Sequence, residues 1–188
     1  MNRIVLASGS PRRKQLLEWA EVDFEVIVQE TAETWPPGLL VTEIPVHIAR
    51  NKAVAVKPLL APGQVVIAAD TVVVLGEEII GKPRDRDDAV GILSRLAGRR
   101  HEVITGVVLR RDGEEQAFAD RTAVYFHPLG LEEIRGYVDR YKPYDKAGAY
   151  AIQEWIGVVG IERIEGDFYN VMGLPVSRVV RALRKWNL

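Results

Sequence analysis

The chain has 188 residues, of which 47% are hydrophobic and 27% are charged, as in many globular proteins with a sizeable core. A net charge of −1 and the lack of a basic stretch argue against a nucleic-acid-binding surface or an anionic membrane partner. The absence of cysteine excludes disulfides, zinc–thiolate sites and thiol nucleophiles. No apolar run approaches a membrane span or resembles a signal peptide, so we expect a single domain over residues 1–188 in the cytoplasm.

Apolar residues alternate along some segments and recur at helical spacing along others. This pattern predicts strands at residues 4–7, 24–28, 65–75, 79–80, 101–109, 115–126 and 158–164. It predicts helices at residues 14–20, 43–57, 85–96, 131–138 and 176–186. Residues 29–41 and 166–175 are predicted to be loops. Because strands alternate with helices early and pair with one another in the middle, we expect an α/β fold with a mixed sheet.

The first strand leads into a turn of small residues and then into a helix. Ser10 suits the N-cap position and Pro11 the first helical position. Backbone N–H groups and the positive end of the helix dipole then converge near Ser8, where Arg12 and Arg13 add positive charge. The pattern therefore predicts a small anion-binding site. The alternative is a capped surface helix with solvated arginines, and the turn taken alone favours that alternative.

Asp70 lies in the middle of the apolar strand predicted at residues 65–75. An ionised carboxylate in a dry strand costs several kcal/mol unless a cation meets it. Asp70 is therefore either a paired structural charge or the centre of a functional site.

Two lysines occupy notable positions near this strand in the predicted order of elements. Lys52 lies at the edge of the buried stripe of the helix at residues 43–57, where a snorkelling lysine with a solvated head is the simpler interpretation. Lys82 lies between Gly81 and Pro83, in a restrained loop after a hairpin, and suits a phosphate group.

The polar residues that fit poorly with a purely structural role are cations, carboxylates and a few neutral groups. They are Ser8, Arg13, Glu33, Lys52, Asp70, Lys82, Asp145, Lys146 and Gln153. Cations beside a helix N-terminus suit a polyphosphate, and carboxylates without thiols or imidazoles suit an oxygen-liganded ion such as Mg²⁺. Water can attack phosphorus in such a site without a covalent nucleophile. We assign no catalytic role to His47, His101 or His127, and the chain has no P-loop motif.

Five segments carry motifs that occur together in one known family. They are residues 6–13 (LASGSPRR), 69–73 (ADTVV), 81–83 (GKP), 145–153 (DKAGAYAIQ) and 169–175 (YNVMGLP). In this order they resemble the Maf family of nucleoside triphosphate pyrophosphatases, over essentially the whole chain. The resemblance implies a twisted mixed sheet flanked by helices, with two lobes and a central cleft, similar to inosine triphosphate pyrophosphatase-like folds. It implies hydrolysis of a nucleoside triphosphate to the monophosphate and pyrophosphate, a divalent cation (Mg²⁺ or Mn²⁺), and it is compatible with a homodimer.

The resemblance also assigns roles to individual residues. Asp70 matches the acceptor of the proton from the attacking water, helped by the metal. Glu33 matches the loop carboxylate that helps to hold the metal, with Glu30 as the alternative. Phosphates are held by the residues that match Ser8, Arg13, Lys52 and Lys82. Asp145 and Lys146 are further site candidates without an assigned role.

Three positions separate two branches of the family. Arg12, Thr71 and Gln153 match the branch that acts on dTTP and UTP, whereas the branch that acts on 7-methyl-GTP tends to have an aromatic residue, Gln and Glu. A Gln amide both donates and accepts, as the O4 and N3–H edge of uracil or thymine requires. We therefore expect dTTP and UTP as substrates. Lys142 departs from the family, which often has an acidic residue there, and this leaves the role of its loop open.

Three alternatives remain at this point. The first is a pyrophosphatase for 7-methyl-GTP or another modified nucleotide. The second is a nucleotide-binding regulator of septum formation without useful turnover, although a buried carboxylate would repel the nucleotide in such a protein. The third is a phosphatase that uses Asp70 as its nucleophile, but such enzymes usually have a second Asp where this chain has Val72.

Overall fold

The structure is a computed structural model and describes residues 3–188. The strands are β1 (Ile4–Leu6), β2 (Glu25–Val26), β3 (Val65–Leu75), β4 (Glu78–Ile80), β5 (Arg100–Arg111), β6 (Glu114–Phe126) and β7 (Ile161–Glu165). The α-helices are α1 (Pro11–Trp19), α2 (Ile44–Val56), α3 (Arg86–Leu96), α4 (Leu131–Tyr141), α5 (Trp155–Gly160), α6 (Phe168–Met172) and α7 (Val176–Leu183). Short 3₁₀ turns occupy Lys57–Leu59, Ala147–Ala149 and Arg184–Trp186.

The strands of the described chain form one seven-stranded sheet. Their order is β2-β1-β3-β5-β6-β7, and β4 pairs with β3. Strand β1 is parallel to both β2 and β3, whereas β3–β4 and β6–β7 are antiparallel pairs. The predicted α/β fold with a mixed sheet flanked by helices is therefore confirmed. Across residues 3–188, no helix combines the length and the apolar character that a membrane crossing requires.

The strand predicted at residues 158–164 is wrong over its first half. Helix α5 extends to Gly160, and β7 begins only at Ile161. The prediction followed the β-branched pair Val158 and Val159, but both are exposed on the helix, and Val158 is 80% exposed. Because these side chains face no core, the local turn decides the structure, with the carbonyl group of Glu154 accepting from the N–H of Gly157 at 2.9 Å.

The loop predicted at residues 166–175 contains the short helix α6. Asp167 precedes it, and its Oδ1 atom accepts hydrogen bonds from the N–H groups of Tyr169 at 2.7 Å and Asn170 at 3.3 Å. Such a cap satisfies N–H groups that have no partner within a helix. The Asp was the available signal, but the glycines on either side of the segment favoured a loop.

The chain divides into two compact units, and β3, β5 and β6 contribute residues to both. The first unit contains the described residues up to Asp70, residues 105–120 and residues 173–188. In this unit, small and β-branched side chains form a buried cluster between α2 and its neighbouring strands. The cluster contains Ala7, Ala49, Ala53, Val56, Val66, Ala68 and Val108. Alanines at a helix–sheet contact allow the two backbones to approach closely, so α2 lies near β3.

The second unit contains Thr71–Ile104 and Arg121–Met172. Helix α3 begins with a cap in which Asp85 Oδ1 accepts from the N–H of Asp88 at 2.9 Å, as its acidic first turn predicts. His101 is buried in an aromatic cluster with Phe126, and its Nε2 atom lies 2.7 Å from the hydroxyl group of Tyr150. Burial lowers the pKa of His101 to about 4, so this residue is a neutral core side chain near pH 7.

Gly106 lies where β5 packs tightly against the start of helix α2 in the first unit. A Cβ atom at this position would lie 2.2 Å from the backbone nitrogen of Val46 and 2.3 Å from the carbonyl carbon of Pro45. Both of these are backbone atoms at the start of α2, so no side-chain rotation could relieve the overlap. Glycine is therefore required for the position of the helix that carries Lys52.

We predict that Gly106→Ala lowers the free energy of unfolding by about 3 kcal/mol, because the new methyl group would push α2 away from the sheet. Chemical denaturation measures this change. Gly91→Ala is the matched control, since a Cβ atom at this position in α3 meets nothing within 4 Å. We expect that variant to be slightly more stable than the parent, because alanine favours the helix. A Gly106→Ala protein with unchanged stability would contradict the packing described here.

Candidate functional site

The turn after β1 connects Ser8 to Arg13 through their side chains. Ser8 Oγ accepts a hydrogen bond from Arg13 Nη1 at 3.1 Å and another from the N–H of Ser10 at 3.3 Å. Arg13 Nε donates to the carbonyl oxygen of Gly173 at 2.7 Å. Ser8 and Arg13 are both buried, so the alternative of a solvated arginine is wrong for Arg13. Arg12 lies beside it on α1 and is half-buried.

Ser10 takes the N-cap position of α1, but its side chain makes no capping hydrogen bond. The prediction is therefore right about the start of the helix and wrong about the role of the hydroxyl group. Burial lowers the pKa of the Arg13 guanidinium, while the nearby Asp70 carboxylate opposes that shift. An arginine has so high an ordinary pKa that Arg13 remains charged near pH 7. The turn thus provides a fixed positive charge beside a helix N-terminus.

Lys52 on α2 binds two carboxylates. Its Nζ atom lies 2.7 Å from Asp70 Oδ1 and 2.9 Å from Glu33 Oε1. Only 15% of the Lys52 side chain and 11% of the Asp70 side chain are exposed. The simple interpretation of Lys52 as a snorkelling lysine with a solvated head is therefore wrong. Lys52 is the cation that the carboxylate in β3 requires.

A cavity of about 550 Å³ opens beside these groups within the first unit. Its lining includes Ser8, Lys52, Glu30 and Glu33, together with the backbone of the loop that follows β2. A volume of this size is typical of pockets for small ligands. Both loop carboxylates line the cavity, but it is Glu33 that contacts Lys52, which favours Glu33 over Glu30 as the carboxylate that acts with Asp70.

The carboxylates of Asp70 and Glu33 could together hold one divalent cation. Each places an oxygen within 3 Å of the same ammonium group, so a cation already lies between them. Nowhere in residues 3–188 do three or more His, Asp or Glu side chains cluster in a way that could hold a metal. Mg²⁺ is typically bound by one or two carboxylates, with phosphate oxygens and water completing its shell. The donor set fits an ion of that kind.

In the second unit, the loop of Lys82 contacts the segment rich in glycine and alanine. The N–H of Gly148 donates to the carbonyl oxygen of Gly81 at 3.1 Å. A Cβ atom on Gly148 would lie 2.9 Å from Cγ2 of Val73, in strand β3. The small residues of this segment therefore allow a close approach to strand β3. Lys82 is exposed at the adjacent position.

Asp145 and Lys146, the two site candidates of unassigned role, form an ion pair of 2.8 Å. Lys146 is buried, and its Nζ atom also lies 3.6 Å from Glu154 Oε1. Glu154 directly follows Gln153, which is exposed on a turn before α5. These contacts link the two site candidates of unassigned role to the turn that carries Gln153.

The remaining predicted positions have simple local surroundings. Thr71 directly follows Asp70 in β3 and is half-buried. Lys142 follows α4 in the left-handed conformation, with its N–H donating to the carbonyl oxygen of Val138 at 2.9 Å. A positive side chain at a helix C-terminus is favoured by the helix dipole, which gives the lysine a structural reason at this position.

Sequence reasoning missed Glu154 and Tyr137, whose side chains are hydrogen-bonded to each other. Glu154 could have been noticed because it follows Gln153 directly. Tyr137 carried no signal beyond its place on the apolar face of a predicted helix. Its contact depends on a turn more than ten residues away in the chain, which no local pattern reveals.

The chain has an α/β fold, and a solved structure with a similar fold is that of the Ham1 protein of Staphylococcus aureus. The two share 18% sequence identity, with a TM-score of 0.54 over 98% of this chain and 99% of that chain. A likeness at this identity concerns the fold alone.

A family model described as Maf-like protein matches residues 3–186, and the chain belongs to this family. A dTTP/UTP pyrophosphatase of Parabacteroides distasonis is 48% identical over 183 residues, which cover 97% of this chain and 95% of that protein. A dTTP/UTP pyrophosphatase of Cytophaga hutchinsonii is 48% identical over 182 residues, which cover 97% of this chain and 83% of that protein. The family resemblance inferred from the five motifs is confirmed.

Proposed function

We propose that the protein hydrolyses dTTP and UTP to the nucleoside monophosphate and pyrophosphate. The observation that carries the proposal is the cavity lined by Ser8, Glu33 and Lys52. Ser8 accepts a hydrogen bond from the buried Arg13, and Lys52 pairs with Asp70 as well as with Glu33. Cations suit the phosphates, and carboxylates suit a metal and a proton. The relatives that carry the name dTTP/UTP pyrophosphatase support the choice of substrates.

The phosphate groups are bound by Ser8, Arg13, Lys52 and Lys82 in this proposal. The rigid hydrogen bonds of Arg13 to Ser8 and to the Gly173 carbonyl support a fixed donor array, which loses little entropy when a phosphate binds. Lys52 already contacts two carboxylate oxygens, and its ammonium group can donate to an anionic phosphate oxygen as well.

The divalent cation, Mg²⁺ or Mn²⁺, would be held by Asp70 and Glu33. When bound, such an ion polarises phosphate oxygens and neutralises developing charge. The residues of the chain then have separate tasks. Lys52 orients the carboxylate of Asp70 by donating to the Oδ1 atom of Asp70. Arg13 neutralises phosphate charge near Asp70. This division leaves Oδ2 of Asp70 as the oxygen that we assign to the attacking water.

Asp70 accepts a proton from this water as its oxygen bonds to the α-phosphorus. The bond between the α-phosphorus and the bridging oxygen to the β-phosphorus breaks, and pyrophosphate leaves with the bonding electrons. The step needs no covalent intermediate on the protein. General-base assistance of this kind contributes about 10²–10⁴-fold to a rate.

The base is selected by Arg12, Thr71 and Gln153 in this proposal. Gln153 supports pyrimidine selection because its amide can donate to O4 and accept from N3–H of uracil or thymine. The exposed position of Gln153 on its turn leaves this amide accessible to a ligand.

The proposal predicts that the purified protein with Mg²⁺ or Mn²⁺ releases pyrophosphate from dTTP and UTP at least about tenfold faster than from CTP or purine triphosphates. A pyrophosphate assay across a panel that includes modified pyrimidine triphosphates and 7-methyl-GTP measures this. Preference for 7-methyl-GTP would support the other branch of the family. Nucleotide binding without release from any triphosphate would contradict the enzyme and favour a regulator of septum formation.

Asp70→Asn is predicted to lower kcat for UTP by about a thousandfold, because the amide cannot accept the proton from water. UTP still binds, since the phosphate-binding cations are retained. Steady-state kinetics and calorimetric titration measure the two properties separately. Glu30→Gln is the matched comparison, because Glu30 lines the same cavity and Glu33 has the contact with Lys52. Full turnover in the Asp70→Asn protein would reject Asp70 as the base.

A further inference from the structure

The turn that carries Gln153 is closed tightly on itself. The N–H of Glu154 donates to the carbonyl oxygen of Ala151 at 3.1 Å, and the N–H of Gly157 donates to the carbonyl oxygen of Glu154 at 2.9 Å. A Cβ atom on Gly157 would lie 1.7 Å from the carbonyl oxygen of Ile152, so only glycine fits there. The Gln153 side chain therefore projects from a short backbone segment with little freedom of its own.

One phenol group holds both ends of this turn. The hydroxyl group of Tyr137, from helix α4, accepts a hydrogen bond from the N–H of Ala151 at 3.3 Å. The same hydroxyl donates to Glu154 Oε2. Ala151 and Glu154 flank Gln153 on its two sides, and Tyr137 is buried on the apolar face of α4 with Ile134. The hydroxyl oxygen of Tyr137 thus links both ends of the turn to helix α4.

The charges around Glu154 keep the Tyr137 hydroxyl group a hydrogen-bond donor to the Glu154 carboxylate. Glu154 Oε1 lies 3.6 Å from Lys146 Nζ, so its carboxylate is oriented by a cation as well as by the phenol. Lys146 is in turn paired with Asp145 at 2.8 Å. Burial raises the pKa of Tyr137, and its bond to Glu154 adds to that shift, so the phenol stays protonated and remains a donor near pH 7.

We propose that Tyr137 and Glu154 are positioning residues for base selection, because they fix the turn from which Gln153 presents its amide to the pyrimidine. This inference rests on the proposed function, in which Gln153 contacts the base. Hydrogen bonds weaken steeply as the donor–hydrogen–acceptor angle departs from linearity. An amide that must both donate and accept therefore needs a fixed backbone. Lys146 and Asp145 then have a role as well, which is to orient Glu154.

Tyr137→Phe tests the proposal, because phenylalanine keeps the ring and its stacking on Tyr141 at 4.9 Å while it removes the hydroxyl. We expect KM for UTP and dTTP to rise about tenfold, and the preference for UTP over CTP to fall about tenfold, with kcat at saturation changed by less than about twofold. Tyr141→Phe is the matched control and leaves both quantities unchanged. Equal loss of kcat with every nucleotide, or no change in selectivity, would overturn the proposal.

Two substitutions of Glu154, one conservative and one not, distinguish a positioning role from a merely structural contact by their preference for UTP over CTP. Glu154→Gln keeps a carbonyl oxygen that accepts from the phenol, and it loses the charge that pairs with Lys146. We expect Glu154→Gln to retain most of the preference for UTP over CTP, and Glu154→Ala to behave like Tyr137→Phe. Equal selectivity in Glu154→Ala and the parent protein would count against the positioning role.

A double-mutant cycle separates this inference from the function on which it rests. If Tyr137 acts through Gln153, then adding Tyr137→Phe to Gln153→Ala causes no further loss of selectivity. The same penalty in both backgrounds would overturn the positioning role. If Gln153→Ala alone leaves selectivity unchanged, it is the assignment of Gln153 to the base that fails.

Amide hydrogen exchange over residues 151–157 gives a readout that needs no turnover. We expect faster exchange in Tyr137→Phe than in the parent protein or in Tyr141→Phe, with an unchanged melting temperature within about 2 °C. Unchanged exchange over the turn would overturn the proposal even if the enzyme proved inactive.

Discussion

The ion pair between Lys52 and Asp70 is the interaction on which the rest of the site depends. Strand β3 is buried along nearly all of its length, and a carboxylate in its middle is tolerated because an ammonium group lies 2.7 Å away. Removing Lys52 would take this ammonium group away from the Asp70 carboxylate, and breaking a buried pair in this way typically costs about 3–5 kcal/mol. The pair therefore constrains the fold as well as the chemistry.

Small residues make this ion pair geometrically possible. Lys52 reaches Asp70 because α2 lies close to the sheet, and it lies close because Ala49 and Ala53 face the strands while Gly106 leaves room for the start of the helix. A larger side chain at any of these positions would move the ammonium group away from the carboxylate. The packing of the core therefore sets the distance between these two charged groups.

Much of the fold followed from the sequence, because its signals are local. The buried strand from Val65 to Leu75 and the helix at residues 85–96 each depend on neighbouring residues, and both predictions match the structure, as β3 and α3. The helical conformation of Val158 was not predicted, since its β-branched side chain favours a strand and only the absence of a facing core decides otherwise. Local pattern cannot report on what a side chain faces.

The site shows the same division between local and distant information. The turn at Ser8 and the carboxylate of Asp70 stand out in the sequence because each is unusual among its neighbours. The pairing of Lys52 with Asp70 and Glu33 joins residues from three separate segments, and a solvated lysine was the simpler expectation. Tyr137 lay outside every motif, since its role comes from a hydroxyl group that contacts a distant turn. Such contacts become visible only when the chain is folded.

In the proposed mechanism, water held by Asp70 attacks the α-phosphorus directly. A single turnover of UTP by excess protein, in water enriched in oxygen-18, tests it by mass spectrometry of the products. Direct attack at the α-phosphorus places the label in UMP within the first turnover and none in pyrophosphate. Unlabelled UMP in the first turnover would show that the oxygen came from a protein carboxylate, and label in pyrophosphate would show attack at the β-phosphorus. Either result would contradict direct attack by water at the α-phosphorus.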